Sequence, residues 1–284
     1  MDTQSVIVAF NAAGLGHIAQ QAAALVRPSV RIRAGAVDES HIPPGASKLG
    51  GLPDLPAYLP WPACKGAPMS FIAQVRLEDL HGIDGTAELP PSGLLWFFYD
   101  AQQETYGSDP ADRGGRQVYY LDHVNPAQLQ RRAAPAGLPA AAQFAACAAH
   151  FENELTLPAD PQAESPALVW SPADEKQYET FYAGFPSRAA RSVAQHRLLG
   201  HPDTIQDDMR GQCQLVANGV TSATDPRAEA LLKDSAEWQL LLQVDSDAAL
   251  HTQWGNTGML YFWIRRTDLL SRNFDGVWVV LQSE

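Results

Sequence analysis

Cysteine is scarce in this 284-residue chain: Cys64, Cys147 and Cys213 are odd in number, widely spaced, and form no Cys-x-x-Cys pair. That argues against a disulfide framework and a thiolate zinc site, and leaves the three as small packing residues. Long apolar runs are missing as well. None exceeds the six residues of 94–99, far short of the ~20 that span a bilayer. No basic residue precedes the short apolar stretch of the first ten residues, so the pattern of an export signal is absent. A cytoplasmic protein without membrane attachment is expected. Basic residues are also few, 20 against 32 acidic ones, for a net charge of −12. Such a surface repels phosphate backbones, which disfavours nucleic acid as a partner and favours a protein with a basic face.

The signatures of several chemistries are absent too. No Gly-x-Ser-x-Gly elbow and no Gly-Lys-Ser or Gly-Lys-Thr phosphate loop occurs. Gly14, Leu15, Gly16 and His17 lack the third glycine of a nucleotide loop and read as a flexible entry to a first helix. His196, His201 and Asp203 come nearest to a metal set, but match no His-Glu-x-x-His spacing, so neither metal nor cofactor is expected. His150 lies three residues from Cys147, which is proximity in sequence and not the geometry of a nucleophile and base. Carboxylate pairs at Asp174 and Glu175, Asp207 and Asp208, and Asp245 and Asp247 read as solvated acidic turns. No catalytic residue is assigned, and a binding protein is expected rather than an enzyme.

What the chain does contain is an echo of itself. Lys48, Leu49, Gly50, Gly51, Leu52, Pro53 and Asp54 recur as Arg197, Leu198, Leu199, Gly200, His201, Pro202 and Asp203, 149 residues later. Phe71, Ile72, Ala73, Gln74 and Val75 recur as Leu240, Leu241, Leu242, Gln243 and Val244 after 169 residues, and the aromatic run opened by Gly93 recurs from Gly258 after 165. Three blocks in one order with drifting offsets indicate two divergent copies. The expected fold is α+β, internally duplicated, with mainly antiparallel β-sheets and a few flanking helices. It forms one integrated body: a first repeat at 27–132, a connecting segment at 133–190, and a second repeat at 191–284.

Runs 94–99 and 260–264 are apolar throughout, as suits strands covered on both faces. Further strands are expected at 117–121, 277–282 and within 151–157, where Phe151, Asn153, Leu155 and Leu157 alternate with polar residues. Helices are expected at 17–26, at 173–183 behind the cap Ser171, Pro172 and Asp174, and from Asp225 and Pro226 to Glu237. Tyr178, Phe181, Tyr182 and Phe185 form one apolar helix face.

Gln74 and Gln243 stand out, because an amide inside an apolar strand must find several hydrogen-bond partners or cost stability. Either each satisfies a neighbouring loop, or the pair lines a cleft between the copies together with Lys48, Asp54, Arg197 and Asp203. For a protein partner, the candidate contacts are Asp207, Asp208, Asp245, Asp247 and Trp254.

Arg27, Pro28, Ser29, Val30, Arg31 and Ile32, the block 48–53, Trp61 and Pro62, the block 70–75, and 242–247 with Trp254 and Gly255 together resemble the YwqG-like family of bacterial proteins, which carry a domain of unknown function. The resemblance runs from about Arg27 to the C-terminus. It implies an internally duplicated α+β protein without an established enzymatic role, some of whose relatives resemble immunity proteins encoded beside secreted toxins. On that implication the leading expectation is an immunity protein that binds a cognate toxin or effector with a basic surface, such as a nuclease. The alternative is a small-ligand-binding protein or hydrolase using the cleft between the repeats. The sequence departs from the family pattern at His201 and in the acidic insert 204–237.

Overall fold

A computed structural model describes residues 2–165, 167–189 and 193–284 of the chain. Its strands are β1 (Arg27–Ala36), β2 (Lys48–Leu49), β3 (Asp54–Pro56), β4 (Ala63–Cys64), β5 (Ala67–Pro68), β6 (Ser70–Arg76) and β7 (Leu94–Tyr99). There follow β8 (Arg116–Leu121), β9 (Leu129–Arg131), β10 (Cys147–Thr156), β11 (Arg197–Leu198), β12 (Trp238–Asp245), β13 (Gly258–Arg265) and β14 (Trp278–Ser283). The helices are α1 (Thr3–Ala12), α2 (Ala19–Ala23), α3 (Pro161–Glu164), α4 (Pro172–Ala183), α5 (Pro186–Ala189), α6 (Met209–Ala217), α7 (Ala228–Leu232) and α8 (Arg266–Leu270). None is long and apolar enough to cross a membrane.

Ten strands join in one sheet, in the order β14-β13-β12-β11-β1-β10-β2-β6-β7-β8, and every pairing is antiparallel. The long strands β1 and β10 pair at its centre along their full length, from Arg27 with Thr156 to Ala36 with Cys147. Segment 133–190, expected to connect the halves, therefore supplies a central strand. On one flank β2, β6, β7 and β8 follow β10; on the other β11, β12, β13 and β14 follow β1.

The sheet curls until its flanks meet. Phe97 of β7 and Phe262 of β13 stand seven strands apart in the order, a span of about 34 Å in a flat sheet at ~4.8 Å per strand, yet their rings lie 5.2 Å apart. The edges approach as well: Arg116 of β8 donates to the carbonyls of Val277 (2.6 Å) and Asp275 (2.6 Å), just before β14. The result is a nearly closed, barrel-like sheet with its main core inside.

Both faces of the flank strands are covered, as their unbroken apolar runs require. In β7, Leu95, Phe97 and Tyr99 join the interior, while Leu94, Trp96 and Phe98 face an outer layer with Leu55, Cys64 and Leu129. In β13, Leu260, Phe262 and Ile264 point inward, while Tyr261 and Trp263 meet Met209, Cys213 and Val216 of α6. A β-bulge interrupts β6 between Phe71 and Ala73, and another interrupts β12 between Leu240 and Leu242. Each bulge sends two consecutive residues into the interior, Ile72 with Ala73 and Leu241 with Leu242, so that the next residue, Gln74 or Gln243, turns to the outer face.

The helices follow the sequence signals unevenly. Ser171 and Asp174 form a reciprocal capping box at α4, whose Tyr178 and Phe181 pack on Phe10 of α1; the helix ends at Ala183, so Phe185, expected on the same helix face, joins this cluster from beyond it. The helix expected at 17–26 is only the short α2. Ahead of it stands α1, capped by Asp2 accepting from the Ser5 N–H. Gly14 ends α1 instead of opening a helix: it has φ +79°, and the following N–H of Leu15 returns to the Phe10 carbonyl at 2.9 Å. The helix expected from 225 to 237 divides into α7 and a 3-10 turn, Ser235–Glu237, and the acidic insert contains α6.

Candidate functional site

Each flank holds a buried polar network, built at the same place in the sheet. Lys48, Gln74 and Trp96 lie in one cross-strand row on β2, β6 and β7. The Gln74 Oε1 accepts from the Asp54 N–H (3.0 Å) and from Trp96 Nε1 (2.8 Å); its Nε2 donates to the Ala46 carbonyl (2.8 Å) and to Asp54 Oδ2 (3.1 Å). All four hydrogen-bonding directions of the amide are used. Lys48, fully buried, reaches Glu39 (3.1 Å), Asp54 (3.3 Å) and the Leu52 carbonyl, and Arg131 closes the group with a 2.9 Å bond to Asp54 Oδ1. Burial pulls the Lys48 ammonium down from its usual range, against Asp54 and Glu39. The Asp54 carboxyl feels burial upward, but Arg131 and Lys48 outweigh it and hold it low.

The second flank repeats this with different residues. Arg197, Gln243 and Tyr261 form the row on β11, β12 and β13. Gln243 Oε1 accepts from the Asp203 N–H (2.8 Å), and its Nε2 donates to the Gln195 carbonyl (2.6 Å) and Asp203 Oδ2 (3.0 Å). Tyr261 donates to the Asp203 carbonyl (2.6 Å), as Trp96 does to that of Asp54 (3.0 Å). Arg197 bonds Asp203 (2.6 Å) and the His201 carbonyl (3.0 Å), while Arg188 takes the place of Arg131 on Asp203 (2.6 Å). The six cleft candidates thus lie in two buried groups of three, Lys48, Asp54 and Gln74 in one and Arg197, Asp203 and Gln243 in the other. Each group fastens a loop to the outer face of its own flank.

The partner candidates separate as well. Asp207 and Asp208 are exposed, the latter capping α6 through the Arg210 N–H. Trp254 is a correction. It is fully buried against Tyr99 (5.9 Å) and Phe144 (5.5 Å), where the closing of the sheet holds it out of reach of any partner. Asp245 and Asp247, at the end of β12, line a cavity of about 590 Å³ together with Arg188, Asp203, Met259 and Glu284.

His196 divides these two carboxylates. Its Nδ1 accepts from the Asp245 N–H (3.1 Å), so Nε2 carries the hydrogen and donates to Asp247 (3.0 Å). That bond lowers the Asp247 carboxyl, whereas burial raises that of Asp245. Of this cavity the sequence pointed out only Asp203, Asp245 and Asp247; the contribution of Arg188 and Glu284 depends on long-range chain placement.

The histidines and Asp203 do not converge. His201 turns away from His196, with Nε2 2.7 Å from the Leu25 carbonyl, and Asp203 is held by Arg188 and Arg197. Because a carbonyl only accepts, His201 keeps its hydrogen on Nε2. Burial, with Arg27 and Arg210 nearby, pulls its pKa down to about 3. The three cysteines are buried and free.

A model of a family described only as a domain of unknown function, DUF1963, matches residues 47–283. No curated protein matches the chain. The match begins after β1, although β1 and β10 pair through ten positions at the centre of the sheet.

Replacing Gln74 by Leu strands the buried Asp54 N–H and takes its side-chain donor from the Ala46 carbonyl, while Trp96 Nε1 keeps the Asp54 carbonyl. Stability is expected to fall by about 2 to 5 kcal/mol in urea unfolding, and Gln243→Leu is expected to behave alike. A loss under 1 kcal/mol for both contradicts the assigned bonds. His201 gives a pH signature. Its folded pKa lies below the ordinary value near 6.5, so as pH falls through 6.5 the unfolded chain takes up a proton that the folded one refuses, and stability drops. His201→Gln keeps a donor for Leu25 without titrating, and its loss of unfolding midpoint between pH 7 and 5 is expected to be smaller than that of the parent; an equal loss contradicts the buried neutral ring.

Proposed function

The chain belongs to the DUF1963 family, and on that premise we propose that it is a non-enzymatic binding protein that neutralises a cognate toxin by direct contact with the toxin's basic face. The observation that carries this reading is the cavity at the end of β12, where Asp245, Asp247 and Glu284 share the lining, among the described residues, with one cation, Arg188, already spent on Asp203. A lysine or arginine side chain from a partner supplies the missing charge. The net charge of −12 acts at longer range, steering basic partners toward the protein at rates that fall with salt. The YwqG-like resemblance supplies the class of partner, a bacterial toxin such as a nuclease, and cytoplasmic residence goes with that role. A hydrolase working from Lys48, Asp54, Gln74 and their second-flank counterparts has less support, because those groups are bonded to one another and to their loops.

An internal duplication is part of the same proposal. It is supported by the bulges at matching places in β6 and β12, by the two three-residue rows, and by cations on Asp54 and Asp203. On this view the duplicated framework is structural and the unlike coverings of the two flanks carry the function.

The test is calorimetry and a toxin-protection assay with the purified product of the adjacent gene. A complex is expected, with an association rate that falls about tenfold or more from low to high salt, and with Asp245→Asn and Asp247→Asn weakening it. Absence of both complex and protection overturns the proposal.

A further inference from the structure

A groove of about 310 Å³ lies at the seam where the ends of the sheet meet, between the loop after β7, the turn before α6, α6 itself and the outer edge of β14. It has the volume of about ten waters at ~30 Å³ each. The chain carries 20 basic and 32 acidic residues, yet none of the described residues that line this groove is charged. Its polar side chains are open to a ligand: Tyr106 is 53% exposed, Ser108 and Gln206 are exposed, and Gln212 is half-buried.

The loop that carries Tyr106 and Ser108 is anchored although these side chains are free. Asp112 accepts from the N–H groups of Gly107 (2.8 Å), Ser108 (3.1 Å) and Asp109 (3.3 Å). On either side of Tyr106, Tyr99 donates to the Thr105 carbonyl (2.6 Å) and Trp278 Nε1 to that of Gly107 (3.0 Å). Gly107, at φ +78°, lies so close to the Val279 carbonyl that a side chain there would collide with it. The Tyr106 ring therefore projects into solvent from a fixed backbone. The Tyr106 hydroxyl, Ser108 Oγ, Gln206 Oε1 and the whole Gln212 amide make no hydrogen bond among the described residues, while Gln206 Nε2 donates to the Ser283 carbonyl (2.9 Å). That bond, and one from the Leu281 N–H to the Tyr106 carbonyl (3.4 Å), leave the edge of β14 no unbroken run on which a partner strand could add.

A charged ligand finds no counter-ion in such a groove, and an apolar one strips water from four polar side chains without replacing it. A sugar ring meets both limits. Its hydroxyls donate and accept side by side, as a primary amide does with its carbonyl next to its NH2, and its C–H face packs on the electron-rich face of an aromatic ring. We propose that this groove binds one neutral pyranose unit of a saccharide, with the C–H face of the ring on Tyr106 and its hydroxyls bonded to Gln212, Gln206 Oε1 and Ser108. The site shares no lining residue with the acidic cavity at the end of β12 and does not rest on the toxin reading.

The experiment is a titration of the full chain with glucose, galactose, N-acetylglucosamine, glucuronate and glycerol, followed by calorimetry and by the side-chain NH2 resonances of the 15N-labelled protein. At least one of the neutral sugars is expected to saturate in the millimolar range and to shift the Gln212 NH2 pair, with glucuronate and glycerol binding more weakly. Tyr106→Ala and Gln212→Ala alter side chains that make no hydrogen bond among the described residues. Each is expected to weaken the binding about tenfold with an unchanged thermal midpoint. Should one variant lose stability, the other variant and the Gln212 resonance of the parent decide. No saturable binding of a neutral sugar, an unmoved Gln212 pair, glucuronate or glycerol binding as tightly as the best neutral sugar, or full affinity in both variants each overturns the proposal.

Discussion

A primary amide buried in an apolar strand has two donor hydrogens and two acceptor lone pairs to satisfy, and each one left empty away from water costs about 1 to 3 kcal/mol. Gln74 meets that demand with Asp54, Trp96 and the Ala46 carbonyl, and Gln243 with Asp203 and the Gln195 carbonyl; a cation on each aspartate completes the group. Because the aspartate reaches the glutamine through both its main chain and its side chain, the loop that carries it has one position. The buried cations follow from the buried aspartates, since a carboxylate is tolerated there only when paired.

The two solutions are not equal. On the first flank Lys48 and Arg131 face Glu39 and Asp54, two cations with two carboxylates. On the second, Arg31, Arg188 and Arg197 face Glu154 and Asp203, and Arg31 Nη1 and Arg188 Nε find no hydrogen-bond partner among the described residues. The coverings differ too: the first flank is sealed by short β-pairs and Trp61, whereas the second is capped by α6 and opens into two cavities. The acidic cavity proposed as a contact site lies on this second flank.

Much of the framework was legible in the sequence. The unbroken apolar runs of β7 and β13 pointed to strands covered on both sides, and the position of one glutamine in each neighbouring strand marked the networks before their partners were known. The capping residues of α4 were equally clear, because they act within four residues of one another. Features that depend on distant neighbours were not legible. The central pairing of β1 with β10 joins segments about 120 residues apart, and their half-polar patterns do not say which strand lies beside them. Trp254 looked like a surface anchor because its loop is polar; only the curling of the sheet buries it. Lys48 and Arg197 looked like cleft rims because long cations are rarely buried, and the aspartates that make their burial tolerable come from the far side of the turn.

The central claim is that the two glutamine-centred networks fasten the fold as rigid units. Native-state hydrogen exchange of the Asp54 and Asp203 amides tests it most directly, because these N–H groups donate to the glutamine side chains themselves. Asp54 opens the short outer strand β3 and Asp203 lies in the loop after β11, places where amides usually exchange quickly. The account predicts that both exchange only through global unfolding, with protection matching that of β7 and β13; exchange by local opening at rates typical of surface loops would contradict it.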